Sequence, residues 1–169
     1  MTLKERLRFG LEHARRMTDK LLDEIQEPND WLLRPAQNTN HAMWIAGHLA
    51  FTDNRFATML DSPSAIDLNH LKDLFGKFSQ PLDELSVYPS IEEVRELMRD
   101  RRQNFLRILD NCSEEDLEQP TPEGAPQFMP NLGLVFQMAA WHEPIHTGQL
   151  TIIHRILGNT PLADRPAVK

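Results

Sequence analysis

Trp141-His142-Glu143-Pro144-Ile145-His146-Thr147-Gly148-Gln149-Leu150 is the stretch on which the reading of this chain turns. Leu134, Val135, Met138 and Ala139 precede it, Ile152 and Ile153 follow, and their spacing is helical rather than alternating. The helix so predicted covers about Asn131 to Leu157, with Gly158 where helices commonly end. Residues four apart share one helix face, about 5–6 Å apart at Cβ, so His142 and His146 point the same way. Their apolar surroundings, Trp141 among them, predict a buried element. Imidazoles buried without partners are costly, and one shared divalent cation, at roughly 2.0–2.1 Å from each nitrogen, satisfies both. Pro144 removes the hydrogen bond to the Ala140 carbonyl and predicts a kink.

Three further segments carry the same period. The first runs from Thr2 to about Gln26 on a stripe of Leu3, Leu7, Leu11, Ala14, Thr18, Leu21, Leu22 and Ile25, and Glu27-Pro28 ends it. The second reaches about Leu60, with N-cap candidates in Asn38-Thr39-Asn40. The third opens on the capping-box pattern Ser90-Ile91-Glu92-Glu93 and runs to about Asn111. Residues 119–129, rich in proline and glutamate, read as a loop. The link over residues 61–90 far exceeds the roughly 2–8 residues usual between bundle helices, and a short helix is expected at Asn69 to Phe75. The fold class that follows is all-α: a four-helix bundle with a long crossover between helices 2 and 3, as one domain over residues 1–169.

A third ligand is available upstream. His48 lies mid-helix in Met43-Trp44-Ile45-Ala46-Gly47-His48-Leu49-Ala50-Phe51, with Gly47 beside it to permit close approach of another helix. His41 faces almost the same way but sits about 10 Å away along the axis, which makes it a cap or surface group. His154 is turned about 120° from His142 on its helix, and His13 and His70 have no partner pattern. The candidate metal ligands are therefore His48, His142 and His146.

His142-Glu143-x-x-His146 also spells the zincin motif, in which the glutamate is a general base. That reading lacks its third ligand: no glutamate follows Glu143, and Ile152 occupies the slot where the extended motif has histidine. No catalytic residue is assigned. Glu143 is the nearest carboxylate, about 100° round the helix from His142, which favours a supporting or surface role over that of a base. Trp44 and Trp141 are expected in the core, and Cys112, without a neighbouring base, is expected to be inert.

The chain has 169 residues, of which 40% are hydrophobic and 25% charged, as in an ordinary globular protein. A net charge of −7 argues against nucleic-acid binding. The basic knot Arg99-Asp100-Arg101-Arg102 is expected to form a solvated helix face. One cysteine allows no internal disulfide. Neither an N-terminal apolar region nor an apolar run of about 18 residues is present, so a cytoplasmic protein with no membrane association is expected.

Trp44-Ile45-Ala46-Gly47-His48-Leu49-Ala50, together with His142-Glu143-Pro144-Ile145-His146-Thr147-Gly148-Gln149-Leu150 and the closing Ile156-Leu157-Gly158, resembles the DinB/YfiT-like superfamily of small four-helix metal proteins. The resemblance spans nearly the whole chain. It implies that His48, His142 and His146 hold a divalent metal ion with water completing the shell, and that Gln149 lines the pocket. It also implies a small-molecule substrate, including low-molecular-weight thiols, transferase, isomerase or hydrolase chemistry, and homodimers. Imidazole ligands suit zinc, nickel, iron or copper alike. Three readings stand on sequence: a metal-dependent hydrolase or thiol S-transferase, a metal-binding or sensing protein without turnover, and a metal-free interaction bundle.

Overall fold

A computed structural model describes residues 1–164. Among them, regular structure is helical: α1 (Leu3–Asp23), α2 (Ala42–Met59), α3 (Lys72–Phe75), α4 (Ile91–Asn111), α5 (Glu114–Leu117) and α6 (Leu132–Ile156), with 3₁₀ turns in the connections. Four helices are long, and α3 and α5 are single turns of 4 residues each. The all-α class is as predicted.

Helix ends follow local chemistry. Thr2 with Glu5, and Ser90 with Glu93, form reciprocal capping boxes at α1 and α4. Asn131 Oδ1 accepts the Leu134 N–H at the start of α6. At α2 the cap is not in Asn38-Thr39-Asn40: His41 takes that place, its Nδ1 accepting the Trp44 N–H at 3.0 Å. His41 is thus a cap, but a fully buried one. α1 stops at Asp23, short of Gln26, although Ile25 still packs into the core. A 3₁₀ turn at Asn69–Leu71 leads into α3 where a short helix is expected. α5 has no apolar period to reveal it; Ser113 and Asp116 build it as a capping box.

α2 packs chiefly on α4 and α1 chiefly on α6, with α2 also meeting α6. Their apolar faces make two cores rather than one. The first gathers Leu21, Leu22, Trp31, Met43, Ile45, Phe75, Met98, Leu150 and Ile153, and the second Leu7, Leu11, Phe56, Phe105, Leu109, Val135 and Phe136. Between them, at the same level on all four long helices, lies a buried polar layer of Arg15, Thr18, Asp53, Arg102, Glu143 and Thr147.

That layer corrects the expectation for the basic knot. Arg99 does pair with Glu92 at the surface, but Arg101 and Arg102 turn inward and are buried. Arg101 donates to Asn54 Oδ1 and to the Ser64 carbonyl, tying α4 to the crossover. Arg102 reaches Asp53. On α6 the apolar residues Leu134, Trp141, Ile145, Ile152 and Ile156 are exposed, which corrects the core placement expected for Trp141. No helix among the described residues is long and apolar enough to cross a membrane.

Candidate metal centre

α2 and α6 bring His48, His142 and His146 together. One ring nitrogen from each lies within 4.8 Å of the others. His142 Nε2 is 3.2 Å from His48 Nε2 and 3.2 Å from His146 Nε2. The outer nitrogens of two rings are held: His48 Nδ1 donates to the Phe75 carbonyl at 2.7 Å, and His146 Nδ1 to Gln149 Oε1 at 3.3 Å. Gln149 is fixed in turn by Asn40 Nδ2 at 3.1 Å. Protons on those Nδ1 atoms leave the Nε2 atoms of His48 and His146 as bare acceptors facing His142. A single proton on His142 Nε2 cannot lie along both 3.2 Å lines. A cation can: tetrahedral ligands at roughly 2.0–2.1 Å from it stand about 3.3–3.4 Å apart. The cluster therefore fits a divalent ion.

Its supports are local. The Trp44 indole stacks on His48, with centroids 4.4 Å apart and planes 11° from parallel, and its Nε1 donates to Ser79 Oγ at 2.9 Å. Phe56 presents edge to face against His142. Gly47 does allow close approach, and the visitor is the Phe75 ring of α3: a Cβ on Gly47 would lie 2.2 Å from it. The crossover thus drops one residue onto α2 whose ring requires glycine and whose carbonyl orients the next histidine.

Burial lowers the basicity of all three rings, which keeps them neutral and able to ligate near pH 7. His48 falls to about 4 and His142 to about 3, in each case mainly through loss of solvent, with neighbouring imidazoles adding to it. His146 is lowered for the same first reason. His48 and His142 are only partly buried, so the cluster is within reach of a small molecule.

Glu143 is not a surface group and is not poised as a base. It is fully buried, with Oε1 accepting from Arg15 Nε at 2.7 Å and Oε2 at 2.6 Å from Arg102 Nη2. Burial alone raises its pKa, but Arg102 and Arg15 outweigh that and lower it. Asp53 closes the network, 3.1 Å from Arg15 and 2.9 Å from Arg102. Arg15 and Asp53 are the residues that the reading of the sequence passed over. Both interrupt an apolar stripe, Arg15 four residues after Leu11 and Asp53 four after Leu49, and that interruption is the signal.

Trp44 is in the core as expected, whereas Trp141 is 60% exposed. α6 continues through Pro144 as one helix. His154 pairs with Glu24 and His13 stacks on Phe9, so both stay outside the cluster. Cys112 is the C-cap of α4 through its backbone N–H, and its thiol, which donates to the Ile108 carbonyl at 3.3 Å, has its pKa raised by burial. Thr52 Oγ1 lies 3.5 Å from His48 Nε2. A cleft of about 700 Å³ lies between α2 and the crossover, lined by Phe51, Arg55, Leu68, Lys72 and Phe78 among others. It begins one turn along α2 from His48 and does not contain the three imidazoles.

A helical protein whose crossover pins one histidine of α2 against a His-x3-His pair on its last helix belongs to a recognisable class of small metal-site bundles. Comparison with protein families places it within that class: the profile of the DinB superfamily matches residues 10–150, and the chain belongs to that superfamily. No curated protein matches the chain.

Proposed function

We propose that this protein holds one divalent cation, zinc, nickel or iron, on His48, His142 and His146, and uses it for chemistry on a small molecule. The observation that carries the reading is the convergence of three Nε2 atoms, with the outer nitrogens of His48 and His146 already committed elsewhere. His48, His142 and His146 would hold the ion as three neutral ligands, and the chemistry it would then supply is acidification of a water or thiol at an open position.

The protein's own residues supply position rather than acid–base chemistry. Glu143 is committed to two arginines, and among the described residues no carboxylate shares the cluster. A reaction needing a separate general base is therefore poorly served. A nucleophile activated by the ion alone, above all a low-molecular-weight thiol in S-transfer, is served better than hydrolysis. The Thr52 hydroxyl and the cleft beside α2 give a substrate polar and apolar contacts.

Elemental analysis of protein purified without chelator should find one ion per chain, and His142→Ala should retain a tenth of it or less. Cobalt(II) loading of the wild type should give a visible spectrum that shifts when a thiol is added. A metal-free wild type that takes up no cobalt sinks the proposal; a cobalt spectrum indifferent to thiols removes only the substrate class.

A further inference from the structure

The chain leaves α3 through the turn Gly76-Lys77-Phe78-Ser79, closed by the Ser79 N–H donating to the Gly76 carbonyl at 3.1 Å. Its third residue, Phe78, has φ +74°. Glycine or asparagine usually fills that left-handed position, because a Cβ there crowds the backbone. Phe78 gains no burial in return: it is 84% exposed, with Lys77 Nζ 4.7 Å from its ring centre. Backbone strain that holds a large apolar side chain in water is a feature of ligand clamps rather than of folding. Phe78 lines the cleft of about 700 Å³ between α2 and the crossover, a volume within the roughly 300–1,000 Å³ of small-molecule sites. The charge of that cleft is opposite to the charge of the protein. Arg55, Lys72 and Lys77 line it against one carboxylate, Asp67, in a chain of net charge −7. Asp67 accepts the Asn69 N–H at 2.8 Å, and among the described residues none of the three cations makes an ion pair.

We propose that this cleft binds a small molecule built of an apolar body and an anionic head, a carboxylate or a phosphate. The body lies against Phe51, Leu68 and the Phe78 ring, and the head against Arg55 and Lys72. Guanidinium and ammonium groups both take carboxylate or phosphate oxygens, and an anion relieves the mutual repulsion of three cations in one cleft. Nucleic acid is the poorer occupant, because the rest of the chain repels a polyanion. Position links the cleft to the histidines. Phe51 and Arg55 follow His48 by three and seven residues, on the same face of α2. The crossover segment that carries Phe78 also holds His48: the Phe75 carbonyl accepts from Nδ1, and Ser79 Oγ accepts from the indole of Trp44, which stacks on the imidazole. Arg55 stands about 10 Å along the helix axis from His48, so a molecule of about that length, held there by its head, reaches the imidazoles with its other end. That this occupant is the substrate rests on the metal reading; that the cleft takes an anion does not.

Titration of the wild type with 4-phenylbutanoate and with 3-phenylpropyl phosphate, followed by amide NMR shifts, should saturate with at least one of the two. Neutral 4-phenylbutan-1-ol should bind about tenfold more weakly. Arg55 and Lys72 are exposed, so their removal spares the fold. Arg55→Ala and Lys72→Ala should each weaken the anion about tenfold and leave the alcohol unchanged. Phe78→Gly should weaken anion and alcohol alike while raising Tm, since glycine relieves the positive φ. His142→Ala, which loses the cation, should bind the anion as the wild type does, so failure of the metal reading leaves this proposal standing. Saturation by neither anion at millimolar concentration overturns it. So does an alcohol that binds as tightly as the anions, or anion binding indifferent to both Arg55→Ala and Lys72→Ala. Anion binding that vanishes in His142→Ala overturns it as well, because the cation would then be the anion's site.

Discussion

His41 closes α2 with its own ring. Nδ1 accepts the Trp44 N–H and Nε2, 3.0 Å from the Leu82 carbonyl, donates to it, so the cap requires neutral imidazole. Burial lowers its pKa from 6.5 to about 4, and Arg34 pushes the same way against the bond to Leu82. Between those values the unfolded chain carries a proton here that the folded protein refuses. Stability from this residue is therefore complete above about pH 6.5 and is lost as pH falls toward 4. His41→Asn keeps a capping side chain and removes the titration. Urea unfolding near pH 7 and near pH 5 should show the wild type losing roughly 1–2 kcal/mol more than the variant on acidification; equal losses would mean that the ring is protonated in the fold. Such a cap is hard to read from sequence, because histidine has no standing as an N-cap and Asn38-Thr39-Asn40 is the obvious candidate. The ligands are easier. His142 and His146 declare themselves by spacing, and His48 by its apolar setting beside a glycine.

At the scale of elements, the apolar periods of α1, α4 and α6 locate the long helices to within a few residues, because burial of one face is what stabilises them. What periodicity hides is the layer where that face turns polar. Arg101 and Arg102 look like surface charge because Arg99 and Asp100 precede them, and only the neighbours from α2 reveal which arginines point inward. The difference is measurable within one knot. Arg102→Met strips Asp53 and Glu143 of a buried counter-ion and should cost roughly 3–5 kcal/mol in chemical denaturation. Arg99→Ala removes a surface pair with Glu92 and should cost less than about 1 kcal/mol. Comparable costs would show that the layer is hydrated rather than sealed. The exposed face of α6 is illegible for a related reason: an apolar residue in sequence looks the same whether its own chain covers it or not.

For the whole molecule, the polar layer decides whether two cores behave as one. Each core draws on all four long helices, and the layer joins them through charges from α1, α2, α4 and α6 that are satisfied only together. The histidine cluster sits at the edge of this layer, where His142 adjoins Glu143 and where α2 meets α6. A cation bound there stabilises the folded state alone, by about 3 kcal/mol when its free concentration is a hundred times the dissociation constant. A domain of this size shifts by about 2–4 °C per kcal/mol, so a strong chelator should lower Tm by roughly 6–12 °C. Because the layer couples the cores, near-ultraviolet dichroism of the tryptophans and far-ultraviolet dichroism of the helices should move together as one transition. Trp31 and Trp44 report the first core and the helices report both. His142→Ala should melt at one temperature with or without chelator. Were chelation to split the wild-type curve in two, the cores would be independent and the layer a boundary between them; were it to leave the curve in place while releasing metal, the cation would lie outside the folded framework.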